Sequence, residues 1–236
     1  AEVLENLSNE CEMTVLRPPI VSPWQSLNKL IGGVQYGHLV GIVGDSGVGK
    51  TTFAMNWLDY IADTLRLPAF LLCLEMPIVS QVIKFASYRT ETPYDPDQRE
   101  AMKQMFAYTK KQIARYEADL FFGYTQFVHS DEIFELMRMA TRLYGCKAVA
   151  LDNLQILVGE LEHYVQQTNN LSKRMKKMAM ELNIALFEVI QPKKPDDHKI
   201  TTLNDARGSI AQIQDMDTGM AIHRNRKVLL TPKDFQ

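Results

Sequence analysis

One octapeptide, Gly44-Asp45-Ser46-Gly47-Val48-Gly49-Lys50-Thr51, constrains this chain more than any other stretch. A short apolar run, 38–43, leads into it. After it Phe53, Trp57, Tyr60 and Ile61 recur at helical spacing. The segment therefore reads as strand, glycine-rich loop, helix. Gly44, Gly47 and Gly49 free the backbone to aim successive N–H groups at one point. The start of the following helix adds its positive end. Such a nest suits phosphate oxygens. Lys50 can then reach the β- and γ-phosphates of a nucleotide, and the Thr51 hydroxyl can ligate Mg²⁺. With Thr52, residues 44–52 form the expected ATP·Mg²⁺ loop. The alternative is a chance glycine-rich turn before a helix.

The rest of the chain repeats the strand–helix alternation. Apolar runs at 69–74, 147–151 and 184–190 have the unbroken character of strands buried on both faces. Shorter strands are expected at 119–122 and 218–223. Helical patterns fill 26–30, 78–89, 97–115 and 163–182. Ser130 is a candidate cap for a further helix that stops at Gly145. The expected fold is α/β: a P-loop nucleotide triphosphatase with a mainly parallel central sheet and helices on both faces. Residues 1–20 are polar and interrupted by Pro18 and Pro19, so they read as a linker or arm. Either they fray or they dock on a neighbouring subunit. The compact domain is expected over 21–236.

Polar residues stand at the C-terminal tips of these strands, where open α/β sheets bind ligands. Asp152 closes the run Ala148-Val149-Ala150-Leu151. A carboxylate there can hold Mg²⁺ through water; a plain strand-end cap is the bland reading. Glu75 closes the run ending Leu72-Cys73-Leu74 and can orient or deprotonate an attacking water. An ordinary helix-start acid competes with that role. Gln191 closes a third strand and can hydrogen-bond a γ-phosphate, or it is a loop residue. Lys193 and Lys194 follow at once, either a nucleic-acid-binding loop or a solvated basic pair. Lys173, Arg174, Lys176 and Lys177 cluster on one helix, as a solvated face or as a subunit or nucleic-acid contact.

A net charge of −2 rules out a global field that draws in nucleic acid, so any such binding must be local. Three isolated cysteines without CxxC spacing form neither a disulfide framework nor a metal site, and they fit a reducing compartment. His38, His163, His198 and His223 lack ligand-like spacing. No basic start with an apolar run marks a signal peptide, and no stretch approaches a membrane span of ~20 apolar residues.

The order of segments is more specific than any one of them. The loop Gly44 to Thr52 is followed by Leu74-Glu75-Met76 and by Leu151-Asp152-Asn153-Leu154-Gln155. Then come Gln191, Ala206-Arg207-Gly208-Ser209, Asp215-Met216-Asp217 and Ile222-His223-Arg224. From about Pro18 to Arg226 the chain resembles the RecA-like motor domain of hexameric replicative DNA helicases of the DnaB, Twinkle and phage primase–helicase type. The resemblance implies Lys50 and Thr51 as phosphate and Mg²⁺ ligands. It implies Glu75 as catalytic base, Asp152 as the second acid and Gln191 as γ-phosphate sensor. It places Lys193, Lys194, Arg207, Gly208 and Ser209 on channel loops gripping single-stranded DNA. It further implies a homohexameric ring that moves 5′ to 3′, with a primase or helicase loader as further partner and no membrane association. The expected setting is the cytoplasm or another reducing compartment such as a nucleoid, a mitochondrial matrix or a phage-infected cell. A recombination or clock-type ATPase, or a non-unwinding loader, are the competing readings.

This sequence departs from the family in three places. Ile210 directly follows Ser209 where the family has glycine. The family's Lys-x-Arg element, whose arginine reaches the neighbour's ATP, has no clear counterpart: Arg226-Lys227 runs into Val228-Leu229-Leu230. Arg224 and Arg226 are its weak substitutes. No primase or primase-binding domain precedes the match.

Overall fold

The computed structural model describes residues 17–125, 129–157, 164–192, 202–205 and 213–224. Strands β1 (Leu39–Gly44), β2 (Ala69–Cys73), β3 (Leu120–Tyr124), β4 (Ala148–Asp152), β5 (Ala185–Ile190) and β6 (Thr218–Ile222) form one sheet in the order β3-β2-β4-β5-β1-β6. Every pairing is parallel. Helices α1 (Gln25–Ile31), α2 (Lys50–Asp63), α3 (Ile78–Thr90), α4 (Arg99–Ile113), α5 (Ser130–Tyr144) and α6 (Tyr164–Leu182) separate the strands.

Side chains alternate between two cores, as a strand's period of two requires. Ala148, Ala150, Phe187 and Val189 face the core shared with α2 and Phe85 of α3. Val149, Leu151 and Leu186 face the core built by Phe134 and Met137 of α5 and Met175 and Met178 of α6. With both faces covered, every residue of β1, β2, β4 and β5 is buried. That burial is why these strands read as unbroken apolar runs.

Strand order positions the site. Gly44 registers with Ile222, Cys73 with Asp152, and Val43 with Ile190, so the C-terminal tips line one edge. From β1 the chain crosses over β5 and β4 to reach β2. The loop after β1 therefore opens onto a crevice shared with the tips of β2, β4 and β5.

The expected helix starts and stops hold with one correction. Gly145 and Asn183 end α5 and α6 at positive φ, 69° and 51°. Ser130, however, does not cap α5. His129 occupies the cap position without a side-chain bond, and Ser130 is the first helical residue. The Ser130 hydroxyl instead accepts from Arg174 Nη1 at 3.1 Å. A charged donor from α6 has replaced the backbone N–H as its partner.

The basic cluster on α6 is also engaged. Arg174 pairs with Asp131 and lies 4.2 Å from the centre of the Phe134 ring. Lys176 bridges Asp217 at 2.7 Å and Gly37 O at 3.0 Å, and Lys177 meets Glu181 at 3.5 Å. Of the expected arm, residues 1–16 lie outside the described residues; Ile20 is buried and forms an antiparallel bridge with Val34.

A second polar cluster ties α2 to α3. Asp59, 1% exposed, accepts from Tyr116 Oη and pairs with Arg89 at 3.2 Å. Arg89 also meets Asp63 at 3.2 Å and lies over the Tyr116 ring. Burial pushes the Asp59 carboxyl up to about 6, against the opposing pull of Tyr116 and Arg89. No helix among the described residues is long and apolar enough to cross a membrane. Cys73 and Cys146 are buried free thiols, whereas Cys11 and His163 and His198 lie outside the described residues.

Candidate active site

The glycine-rich loop closes as its spacing predicts. Gly47 and Gly49 take φ of 76° and 103°, a region that side chains with a Cβ rarely adopt, and a Cβ added at either would meet open space. Backbone conformation, not crowding, demands glycine there. Gly44 is the opposite case: a Cβ would lie 2.8 Å from Ile222 O and 2.9 Å from Val48 Cγ2. Gly49 caps α2 with no side-chain bond, which leaves the helix's first N–H groups available.

Lys50 is 7% exposed and its Nζ donates to Asp45 O at 2.8 Å. Burial holds its ammonium below the usual lysine range, while Asp152, Glu75 and Asp45 oppose that shift. The Thr51 hydroxyl donates to Asp152 Oδ2 at 2.5 Å, joining the head of α2 to the tip of β4. Asp152 is 3% exposed. Burial raises its carboxyl and the Thr51 bond pulls it down; Glu75 raises it further, and Lys50 and Lys84 lower it. A hydroxyl and a carboxylate already in contact are a hard oxygen pair that fits Mg²⁺. Among the described residues no group of three or more His, Cys, Asp or Glu forms a metal cage. Those two oxygens would therefore share a cation with water and phosphate.

Glu75 sits on a braced turn. Leu74 N donates to Asp152 O at 2.6 Å, and Met76 N donates to Cys73 Sγ at 3.3 Å. The fully buried Gln81 donates from Nε2 to Met76 O at 2.8 Å and Gly123 O at 3.1 Å, tying the turn to β3. Asn153 Nδ2 reaches Glu75 Oε2 at 3.4 Å. Gln191 N donates to Gln155 Oε1 at 3.3 Å, which links the tips of β5 and β4.

Lys50, Thr51, Thr52, Glu75, Asp152 and Gln191 converge on one cleft of about 620 Å³, with Ser46, Gly47, Val48 and Gly49 on its floor. Gly44 and Asp45 are not among the residues that line it. Sequence reasoning gave no role to Asn56, Met76 or Lys84, which also line it. Nothing in the sequence around Lys84 distinguishes it from a surface helix lysine. Arg224 lines this chain's own cleft. Lys193, Lys194, Arg207, Gly208, Ser209 and Arg226 lie outside the described residues.

Comparison with known proteins finds relatives over most of the chain. The model of the DnaB-like helicase C terminal domain matches residues 20–234. The chain is 28% identical to the replicative DNA helicase DnaB of Treponema pallidum over 212 residues, 85% of this chain and 47% of that protein. It is 24% identical to the DNA helicase/primase of Enterobacteria phage T3, across 86% of this chain and 38% of that protein. The chain thus spans under half the length of these relatives. A solved structure of an ATPase domain superposes with a TM-score of 0.73 at 21% identity, covering 94% of this chain and 82% of that one, a likeness of fold. The chain belongs to the DnaB-like helicase C-terminal domain family.

Proposed function

We propose that this chain is the motor of an ATP-dependent replicative DNA helicase, hydrolysing ATP with Mg²⁺ at subunit interfaces of a ring. The observation that carries this reading is the convergence of Lys50, Thr51, Glu75, Asp152 and Gln191 from separate strand tips on one cleft. Residues 21–236 are the motor domain, joined by Ile20, which is buried and bridges Val34; the residues before it are a linker or arm.

The N–H groups of 44–49 and the head of α2 receive the phosphates, and Asp45 and Thr52 complete the loop. Lys50 leaves Asp45 O for the β- and γ-phosphate oxygens. Thr51 and Asp152 would hold Mg²⁺, which would supply positive charge to offset that of the phosphates. Glu75, kept at the tip of β2 by the Gln81 brace, takes the proton of the attacking water. Gln191 hydrogen-bonds the γ-phosphate and lies two residues before Lys193. Loss of the phosphate can therefore shift the segment of Lys193 and Lys194. With Arg207, Gly208 and Ser209 these residues grip the single-strand backbone. A primase or loader is the further partner class.

Two measurements test this. Unwinding of forked DNA, with 5′ or 3′ tails, is run beside native mass measurement: a ring active on the 5′ tail supports the reading. A monomer that unwinds neither substrate rejects it. Gln191→Ala should uncouple ATP turnover from unwinding; intact DNA-stimulated turnover and intact unwinding would remove the sensor role.

A further inference from the structure

Two cations outside the glycine-rich loop line the cleft, Lys84 and Arg224. Lys84 projects from α3, the helix that follows the Glu75 turn, and lines the cleft with Lys50, Glu75, Asp152 and Gln191. It is half-buried, between the fully buried Gln81 three residues earlier and the buried Phe85. It forms no ion pair or hydrogen bond with any described residue. Its charge is nonetheless felt on both sides of the cleft. It lowers the carboxyl of Asp152 and opposes the protonation of Lys50. A partly desolvated ammonium facing an open polar cleft, with no carboxylate closing on it, is poised for an incoming anion.

The wall on which it stands is rigid. Gln81 pins the start of α3 to Gly123 O and Met76 O, and Arg89 pins its end to Asp59 and Asp63 of α2. Lys50 already serves the phosphates from the loop. Lys84 lines the same cleft from the helix that follows the Glu75 turn. Glu75 can reach its attacking water only if the terminal phosphate lies near that turn.

Resting on the nucleotide-site reading above, we infer that Lys84 is a second cation supplied in cis, contacting the γ-phosphate oxygens from the α3 wall. Its charge acts on oxygens that gain negative charge as the terminal bond breaks. It thereby distinguishes nucleoside triphosphate from diphosphate.

The test is direct binding of ATPγS and of ADP, each with Mg²⁺, to the full chain and to Lys84→Ala, Lys84→Met and Lys84→Arg, with ATP turnover alongside. Losing one charge-assisted contact lowers the preference for ATPγS over ADP by ~10- to 100-fold in Lys84→Ala and Lys84→Met. ADP affinity and the melting temperature stay as in the parent, and Lys84→Arg restores the preference. Turnover falls in parallel. A parent that binds ADP and ATPγS equally, or an unchanged preference in Lys84→Ala, overturns the inference and leaves the nucleotide site standing. Equal loss of ADP and ATPγS overturns it too, since the role would then be general. A parent that binds neither nucleotide overturns the nucleotide-site reading itself.

Discussion

At the scale of single residues, the cleft separates binding from chemistry. Lys50 and Thr51 belong to the loop and helix head, where backbone N–H groups already favour an anion. Glu75 belongs to a different strand and reaches the cleft only because β2 pairs with β4 in the register that sets Cys73 beside Asp152. Its position depends on neighbours that never touch a substrate: the Cys73 thiol accepting from Met76 N, and Gln81 crossing to Gly123 O. Cys73 suits that duty because burial raises its thiol to about 11, so it stays neutral beside Asp152. Glu75→Gln keeps the side chain's size and its contact with Asn153 while removing the proposed base. Turnover should fall by ~10²- to 10⁴-fold while ADP affinity holds, measured by phosphate release and by nucleotide titration. Turnover near the parent's would assign the base elsewhere.

At the scale of elements, α2 and α3 both line the cleft, and the buried Asp59–Arg89–Tyr116 cluster joins them. That cluster carries a pH signature. Asp59 is raised to about 6 in the folded chain, against an ordinary carboxylate value of 3.8. A raised carboxyl binds its proton more tightly folded than unfolded. Its favourable contribution is present below pH ~4 and is lost as pH rises through about 6. Asp63, Arg89, Tyr116 and Tyr88 are the charged or titratable groups around it. Urea titrations from pH 4 to 7 should therefore show the parent losing stability with rising pH relative to Asp59→Asn. The gap should be on the order of 1–3 kcal/mol for a shift of this size. Parallel curves would show that Asp59 ionises normally. The α5–α6 contact makes a related point. Arg174, Lys176 and Lys177 look on paper like a basic stripe, yet each is held by Asp131, Asp217 or Glu181. DNA contact is better sought at Lys193, Lys194 and Arg207.

At the scale of the whole molecule, a chain of net charge −2 attracts DNA only if a few cations are concentrated along one path. A ring does this by bringing copies of one short loop to a common channel. Binding to single-stranded DNA should then be sequence-tolerant and fall linearly in log affinity with log salt. A slope near zero, read by fluorescence anisotropy, would argue against phosphate-led contact. How much of this was open to a reader of the sequence differs by residue. The glycine-rich loop, Glu75, Asp152 and Gln191 were legible because each depends on its own neighbours: an apolar run that ends in a polar residue reports a strand tip. The parallel α/β architecture was legible for the same reason, since strands buried on both faces cannot alternate with polar residues. Lys84 was not legible, because a half-buried lysine on an amphipathic helix has no local mark and gains meaning only from what faces it. Nor was the failure of Ser130 to cap α5, decided by Arg174 from a helix 44 positions away. The order β3-β2-β4-β5-β1-β6 was equally hidden, because runs such as Ala148-Val149-Ala150-Leu151 and Ala185-Leu186-Phe187 offer similar edges to any partner. The sequence by itself determined which strands end in a polar residue. Only tertiary structure decided which of those ends meet, because backbone pairing between parallel strands is nearly blind to side-chain identity and is settled by how the two helical layers fill the faces of the sheet.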